Sequence, residues 1–315
     1  MLKTKFGKTN REVSKLGFGC GGYWGLKIFP ETEAENLIRV AIENGINFFD
    51  TGANYSGGNA EHRLGRILST VDTSKLLIGT KAGTKLVGKK IVKDFSRKNI
   101  IESAEASLKK LRLNHLPLFQ LHFPGVNDIN EESLGALNSL KERGLVELTG
   151  VSCDGAAAYK AVSVKFFDSI MTSFNIIDCD FQKIDSASKS GLAILAMSPL
   201  ARTVYSNDLW KVTSLNKIWY LLRAIKNYRS DLIKGLRFRF INEVEGWTGA
   251  DIALNYVIQN RFITCAVIGT TNEKHLLDNI SSSQKVAIGE DTLMKIFQAQ
   301  NLGRLRSIES HPYSA

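Results

Sequence analysis

The sequence predicts a (β/α)8 TIM barrel with an N-terminal β-hairpin and a long helical loop after strand 7, and three observations carry that prediction. Eight short apolar runs alternate with eight amphipathic stretches along the 315 residues. The runs are apolar throughout, as strands buried on both faces are. Behind the first run, Gly17-Phe-Gly-Cys-Gly-Gly22 lacks the GxGxxG spacing of an open dinucleotide-binding sheet and no helix follows it directly. Such glycines suit close backbone approach at a barrel mouth.

Residues 1–315 read as a single domain. Leu2–Phe6 and Glu12–Ser14 flank the turn-rich Gly7-Lys-Thr-Asn10, so residues 1–15 are expected to form the hairpin. The eight strands follow at Leu16–Gly19, Asn47–Asp50, Leu76–Lys81, Leu116–Leu121, Glu147–Ser152, Ser169–Phe174, Ala193–Met197 and Thr264–Ile268. Helices fall at Thr32–Asn44, Ala60–Leu68, Ser96–Leu111, Glu131–Arg143, Gly155–Ser163, Phe181–Ser190, Thr248–Gln259 and Asn272–Ser281. Ser96 suits an N-cap, and Gly144 behind Lys141-Glu-Arg143 suits a C-terminal stop.

The stretch from Ser198-Pro-Leu200 to Thr248 is far longer than a barrel loop needs. Leu209-Trp210, Ile218-Trp-Tyr-Leu-Leu222 and Phe238-Arg-Phe240 make it too apolar to stay solvated, so residues 201–247 are expected to fold as a helical lid. Lys211, Lys217, Arg223, Lys226, Arg229, Lys234, Arg237 and Arg239 give that lid a basic face. Residues 304–315 read as a loosely held tail.

Apolar content of 43% and charge of 23% are those of a soluble globular protein, and no apolar run is long enough to span a bilayer. The start, Met-Leu-Lys-Thr-Lys-Phe-Gly-Lys, has no apolar signal segment, so a cytoplasmic location is expected. Four scattered cysteines, Cys20, Cys153, Cys179 and Cys265, show neither metal nor disulfide spacing, and reduced thiols are expected. The net charge of +10 favours anionic ligands without naming one. No nucleic-acid-binding motif accompanies it, so no nucleic-acid partner is expected.

Three strands deliver titratable groups to their C-terminal ends. Asn47–Asp50 ends on Asp50 and reaches Tyr55 five residues on, Leu76–Lys81 ends on Lys81, and Leu116–Leu121 is followed by His122. In a barrel these ends converge on one mouth. A neighbouring ammonium is expected to draw the Tyr55 phenol toward physiological pH, with Asp50 as the counter-charge that keeps Lys81 protonated. Tyr55 is then a general acid toward a carbonyl, and His122 orients that carbonyl or shares the proton. The set holds no hydride source, so a carbonyl reaction here needs an electron-carrying cofactor, for which nicotinamide is the natural choice.

Gly45-Ile-Asn-Phe-Phe-Asp50-Thr through Tyr55, Lys81 after its strand, Leu118-Phe-Gln-Leu-His122, Gly150-Val-Ser152, Ser198-Pro-Leu200 and Ile268-Gly-Thr-Thr with Asn279 together resemble the aldo-keto reductases. The resemblance runs from the hairpin to Asn279. It implies an NAD(P)-dependent oxidoreductase that reduces an aldehyde, ketone or sugar carbonyl, or oxidises the corresponding alcohol, by direct hydride transfer, with Tyr55 as proton donor, Lys81 and Asp50 as its tuning pair and His122 as carbonyl orienter. It also implies Ser152 and Asn175 at the nicotinamide amide, Ser198 and Leu200 along the pyrophosphate, and Gly269, Thr270, His275 and Asn279 around the adenosine end. Cys153 and Met171 stand where the family carries carboxamides, and Gly269, Thr271 and His275 where many members carry a cation for a 2′-phosphate. NADPH is the expected coenzyme, with NADH open.

Trp24 and Phe123, beyond strand ends, are expected to line the substrate pocket. The expected substrate is a small carbonyl compound, anionic or sugar-like; no metal is required. Two other classes compete: a coenzyme-binding regulatory subunit docking a partner through the basic lid, and a lyase or aldolase barrel using Lys81 as a Schiff-base nucleophile.

Overall fold

The structure, a computed structural model, describes residues 1–87, 90–206 and 231–300. Strands β1 (Lys3–Lys5) and β2 (Glu12–Ser14) pair antiparallel, with Lys3 opposite Ser14. The barrel strands are β3 (Leu16–Gly19), β4 (Phe48–Asp50), β5 (Leu77–Ala82), β8 (Leu116–His122), β9 (Val146–Ser152), β10 (Ser169–Ser173), β11 (Ala193–Met197) and β12 (Cys265–Ile268). All eight neighbouring pairs are parallel, and β12 closes onto β3 through Ala266 opposite Leu16.

Helices α1 (Glu31–Glu43), α2 (Asn59–Leu68), α3 (Arg97–Leu111), α4 (Glu131–Glu142), α5 (Gly155–Ser163), α6 (Phe181–Lys189), α7 (Gly249–Ile258) and α8 (Glu273–Ser282) lie between or after these strands within a residue or two of expectation. Their ends carry the signals read from the sequence. Ser96 Oγ accepts from Asn99 N–H at the start of α3, and Gly144 behind α4 adopts φ +70°.

The core has two layers. One fills the space between strands and helices, with Phe49, Ile78, Phe119, Leu121 and Ile252 among its buried members. The other fills the barrel with Phe48, Leu77, Leu118, Leu148, Met171, Leu195 and Cys265. Phe6 and Val13 join this inner layer, so the hairpin plugs the N-terminal end and leaves the C-terminal end as the mouth. Strand period places alternate residues on one face. Phe48 on β4, Leu77 on β5 and Leu118 on β8 point inward, and so therefore do Asp50, Lys81, Gln120 and His122.

A further hairpin and a further helix lie outside the sequence expectation. A hairpin of β6 (Thr84–Val87) and β7 (Lys90–Lys93) leaves the end of β5, and α9 (Glu290–Gln300) follows α8. Within the expected lid, residues 231–235 are helical and Leu236–Glu243 forms a 3-10 turn that buries Phe238 and Ile241. Residues 207–230 of that expectation, including Trp210, Lys211, Lys217, Arg223, Lys226 and Arg229, lie outside the described residues, as does the 304–315 tail. Among the described residues, no helix is long and apolar enough to cross a membrane.

Candidate active site

Asp50, Tyr55, Lys81 and His122 meet at the barrel mouth. Lys81 Nζ donates to Asp50 Oδ1 at 2.6 Å, to Oδ2 at 2.5 Å and to the Thr51 carbonyl at 2.7 Å. The same ammonium lies 4.7 Å from the centre of the Tyr55 ring. The rings of Tyr55 and His122 meet edge-on with centroids 5.6 Å apart. Tyr55 itself is held between two glycine backbone segments packed tightly against its ring. A Cβ on Gly21 would come within 2.7 Å of its Cδ2, and one on Gly52 within 3.1 Å of its ring.

Burial alone would discharge Lys81, but the charges of Asp50 and Tyr55 outweigh it and raise the ammonium above its ordinary range. A fully buried lysine held by both oxygens of a carboxylate is not a free amine, which argues against the Schiff-base reading. Tyr55 departs from the expected direction. Burial raises its phenol, and the hydrogen bond and charge of Lys81 oppose this without reversing it, because Asp50 offsets that charge. The phenol therefore carries its proton at neutral pH. His122 is pushed down to about 3 by burial and by Lys81 and Lys93, which leaves a neutral imidazole.

Three partners went unread in the sequence. Gln120 Nε2 donates to Asp50 Oδ1 at 3.3 Å, steadying the carboxylate from β8, two strands away in the barrel. Its signal was present: a lone amide in the apolar run Leu116–His122, two residues before His122 and so on the same face. Thr84 Oγ1 lies 2.9 Å from His122 Nδ1, and Lys93 Nζ donates to the Phe123 carbonyl at 2.7 Å. Both come from the β6–β7 hairpin, whose β-prone halves flank Gly88-Lys89.

A second region opens beyond β11 and β12. A groove of about 960 Å³ is lined by Ser198, Leu200, Gly269, Thr270, His275 and Asn279, all named from the sequence. Asn272 Oδ1 accepts from His275 N–H and caps α8, so the groove includes a helix N-terminus of the kind that suits a phosphate. A groove of this volume, with hydroxyls, an imidazole and a helix N-terminus, fits an elongated dinucleotide. Lys274 lies 3.8 Å from Asp278 and Lys285 2.8 Å from Asp251, so a 2′-phosphate here would share each cation with a carboxylate.

Asn175 stands beside Ser198 in an adjoining recess, its Oδ1 accepting from the N–H groups of Ile177 and Asp178 at 2.9 Å. Ser152 is fully buried at the end of β9, its hydroxyl 3.7 Å from Met197 Sδ. Phe123 sits at the mouth, 41% exposed and 5.1 Å from the His122 ring. Trp24 does not. It is 1% exposed, donates its indole N–H to the Ala34 carbonyl at 3.2 Å and packs edge-on to Phe18. An indole engaged under α1 has no surface for a substrate, and the exposed neighbour Tyr23, at 54%, is the aromatic that reaches solvent.

The sequence model of the aldo/keto reductase family matches residues 15–299. The chain belongs to that family. It is thus an oxidoreductase of the nicotinamide-dependent, carbonyl-reducing kind. A probable aldo-keto reductase 1 from Glycine max is 27% identical over 311 residues, covering 95% of this chain and 89% of that protein. Among solved structures, the holo form of aldo-keto reductase AKR11C1 from Bacillus halodurans superposes with a TM-score of 0.80 at 22% identity, over 96% of this chain and 97% of the other. Glycerol dehydrogenase AKR11B4 from Gluconobacter oxydans gives a TM-score of 0.79 at 20% identity with the same coverage. These two likenesses speak for the fold.

Proposed function

We propose that this aldo/keto reductase reduces an aldehyde, ketone or sugar carbonyl with Tyr55 as the proton donor. The single observation that carries the reading is the buried Lys81–Asp50 pair set against the Tyr55 ring, with neutral His122 edge-on to that ring. A nicotinamide coenzyme, when bound, supplies the hydride. The Tyr55 hydroxyl acts at the carbonyl oxygen: as the carbon accepts hydride, the oxygen takes the phenolic proton, and Lys81 steadies the phenolate left behind. His122, uncharged, donates one hydrogen bond to the same oxygen and competes for no proton. The reverse reaction needs the phenolate, so alcohol oxidation should rise with alkaline pH.

For the coenzyme, Ser198, Leu200, Gly269, Thr270, His275 and Asn279 are the residues we assign, with Asn175 toward the nicotinamide end and Ser152 beneath it. NADPH is the expected coenzyme; because Lys274 and Lys285 already face carboxylates, NADH should compete with it. For the substrate, Lys93 at the rim with Phe123 beside it suits an anionic carbonyl compound with an apolar portion. Titration with NADPH and NADH, followed by tryptophan fluorescence, tests the reading together with a screen of matched charged and neutral carbonyl compounds. Binding of neither coenzyme would overturn it, and equal kcat/KM for charged and neutral analogues would remove the anionic preference.

A further inference from the structure

The Tyr55 loop, the β6–β7 hairpin and the end of β8 are joined by one hydrogen-bonded chain. The amide nitrogen of Asn54 donates to both the carbonyl and the hydroxyl of Thr84, the latter at 3.0 Å. A carbonyl oxygen only accepts, so the Asn54 atom facing Thr84 O must be nitrogen, and the same nitrogen then donates to Oγ1. Thr84 Oγ1 lies 2.9 Å from His122 Nδ1. With one oxygen lone pair taken by Asn54, the hydroxyl proton has Nδ1 as its acceptor among the described residues.

We infer that Asn54 and Thr84 are positioning residues that fix His122 in the tautomer with hydrogen on Nε2, the nitrogen left to donate to a substrate oxygen. A neutral imidazole has one N–H. If Nδ1 carried it, the ring would donate to Thr84 and offer the carbonyl a lone pair, which repels it. Asn54 adjoins Tyr55, so the same contacts hold the proton donor and the carbonyl orienter in register across three separate connections of the barrel. The tautomer is a property of the resting protein. Only its effect on turnover rests on the reductase reading.

The test is a long-range proton–nitrogen correlation spectrum of the histidine rings in 15N-labelled full-length protein near neutral pH. His122, one of five histidines, is assigned by the signal lost in His122→Gln. The wild type should show a pyridine-like Nδ1 and a pyrrole-like Nε2, and Thr84→Ser should keep both. Thr84→Val, which retains the shape but loses the hydroxyl, should show mixed tautomers and lose about ten- to a hundredfold in kcat with little change in coenzyme Kd. Thr84→Ser should restore kcat to within about threefold. A pyrrole-like Nδ1 in the wild type, or an unchanged tautomer in Thr84→Val, overturns the inference. Failure of the reductase reading would appear as absent coenzyme binding, which leaves these ring signals untouched.

Discussion

The two halves of the barrel mouth are built differently. Behind β4, β5 and β8, Lys81 and Asp50 are buried and joined at 2.5 Å, Gln120 braces the carboxylate, and Tyr55 is clasped by glycine backbone. Behind β11 and β12, the named side chains line an open groove and bond to their own turns: Thr270 Oγ1 accepts from Asn272 N–H, and Asn279 donates to the His275 carbonyl. The first half is ordered before any ligand arrives, as electrostatic catalysis requires. The second is held by local bonds of its own turns and leaves its groove face open. Substitutions in the first should therefore damage the resting protein or its chemistry, and those in the second should mainly change ligand affinity.

The sharpest way to break the contrast is Tyr55→Phe. Loss of the phenolic proton should cost about 10² to 10⁴ in kcat while coenzyme Kd stays near the wild-type value, read by steady-state kinetics and fluorescence titration. A lost coenzyme affinity instead would mean that the halves are not separable. Asp50→Asn strands the Lys81 ammonium among buried groups and should lower unfolding free energy by about 3 to 5 kcal/mol in urea. An unchanged midpoint would show that solvent reaches Lys81.

Gly21→Ala probes the clasp alone. Gly21 is extended, at φ −143°, so alanine suits its backbone and the cost is the methyl group meeting the Tyr55 ring. Displacing the ring should lower kcat/KM by up to about a hundredfold without loss of fold. On the groove side, His275→Ala should cost only about 1 kcal/mol, roughly fivefold in coenzyme Kd, with kcat kept.

The pH dependence of stability adds a last test. His122 is depressed from 6.5 to about 3, so between those values the unfolded chain binds a proton that the native state does not. Stability must then fall as pH drops through that window, and His122→Gln should flatten the slope there. A slope unchanged by the substitution would mean that the imidazole is solvated.

The arrangement of the barrel was legible because strand and helix periods are local: β3 and β11 fall where the apolar runs lie, and α3 and α7 begin at Ser96 and Thr248, which cap them. The β6–β7 hairpin was missed because its runs are short and rich in lysine, although the Leu, Val and Ile within them gave a signal. Trp24 was misplaced because loop position does not say which way an indole turns. Here it turns under α1, where its N–H finds the Ala34 carbonyl.

By itself the amino-acid sequence determined which residues could meet at the mouth. Strand period two and the parallel alternation put Asp50, Lys81 and His122 on inward faces at the same end of the barrel. Only the tertiary structure decided their electrical state. The direction of the Tyr55 shift depends on how burial, Lys81 and Asp50 balance, and the neutrality of His122 depends on its burial beside Lys81 and Lys93. Those balances turn on distances of a few ångströms between segments far apart in the chain, which no local pattern encodes.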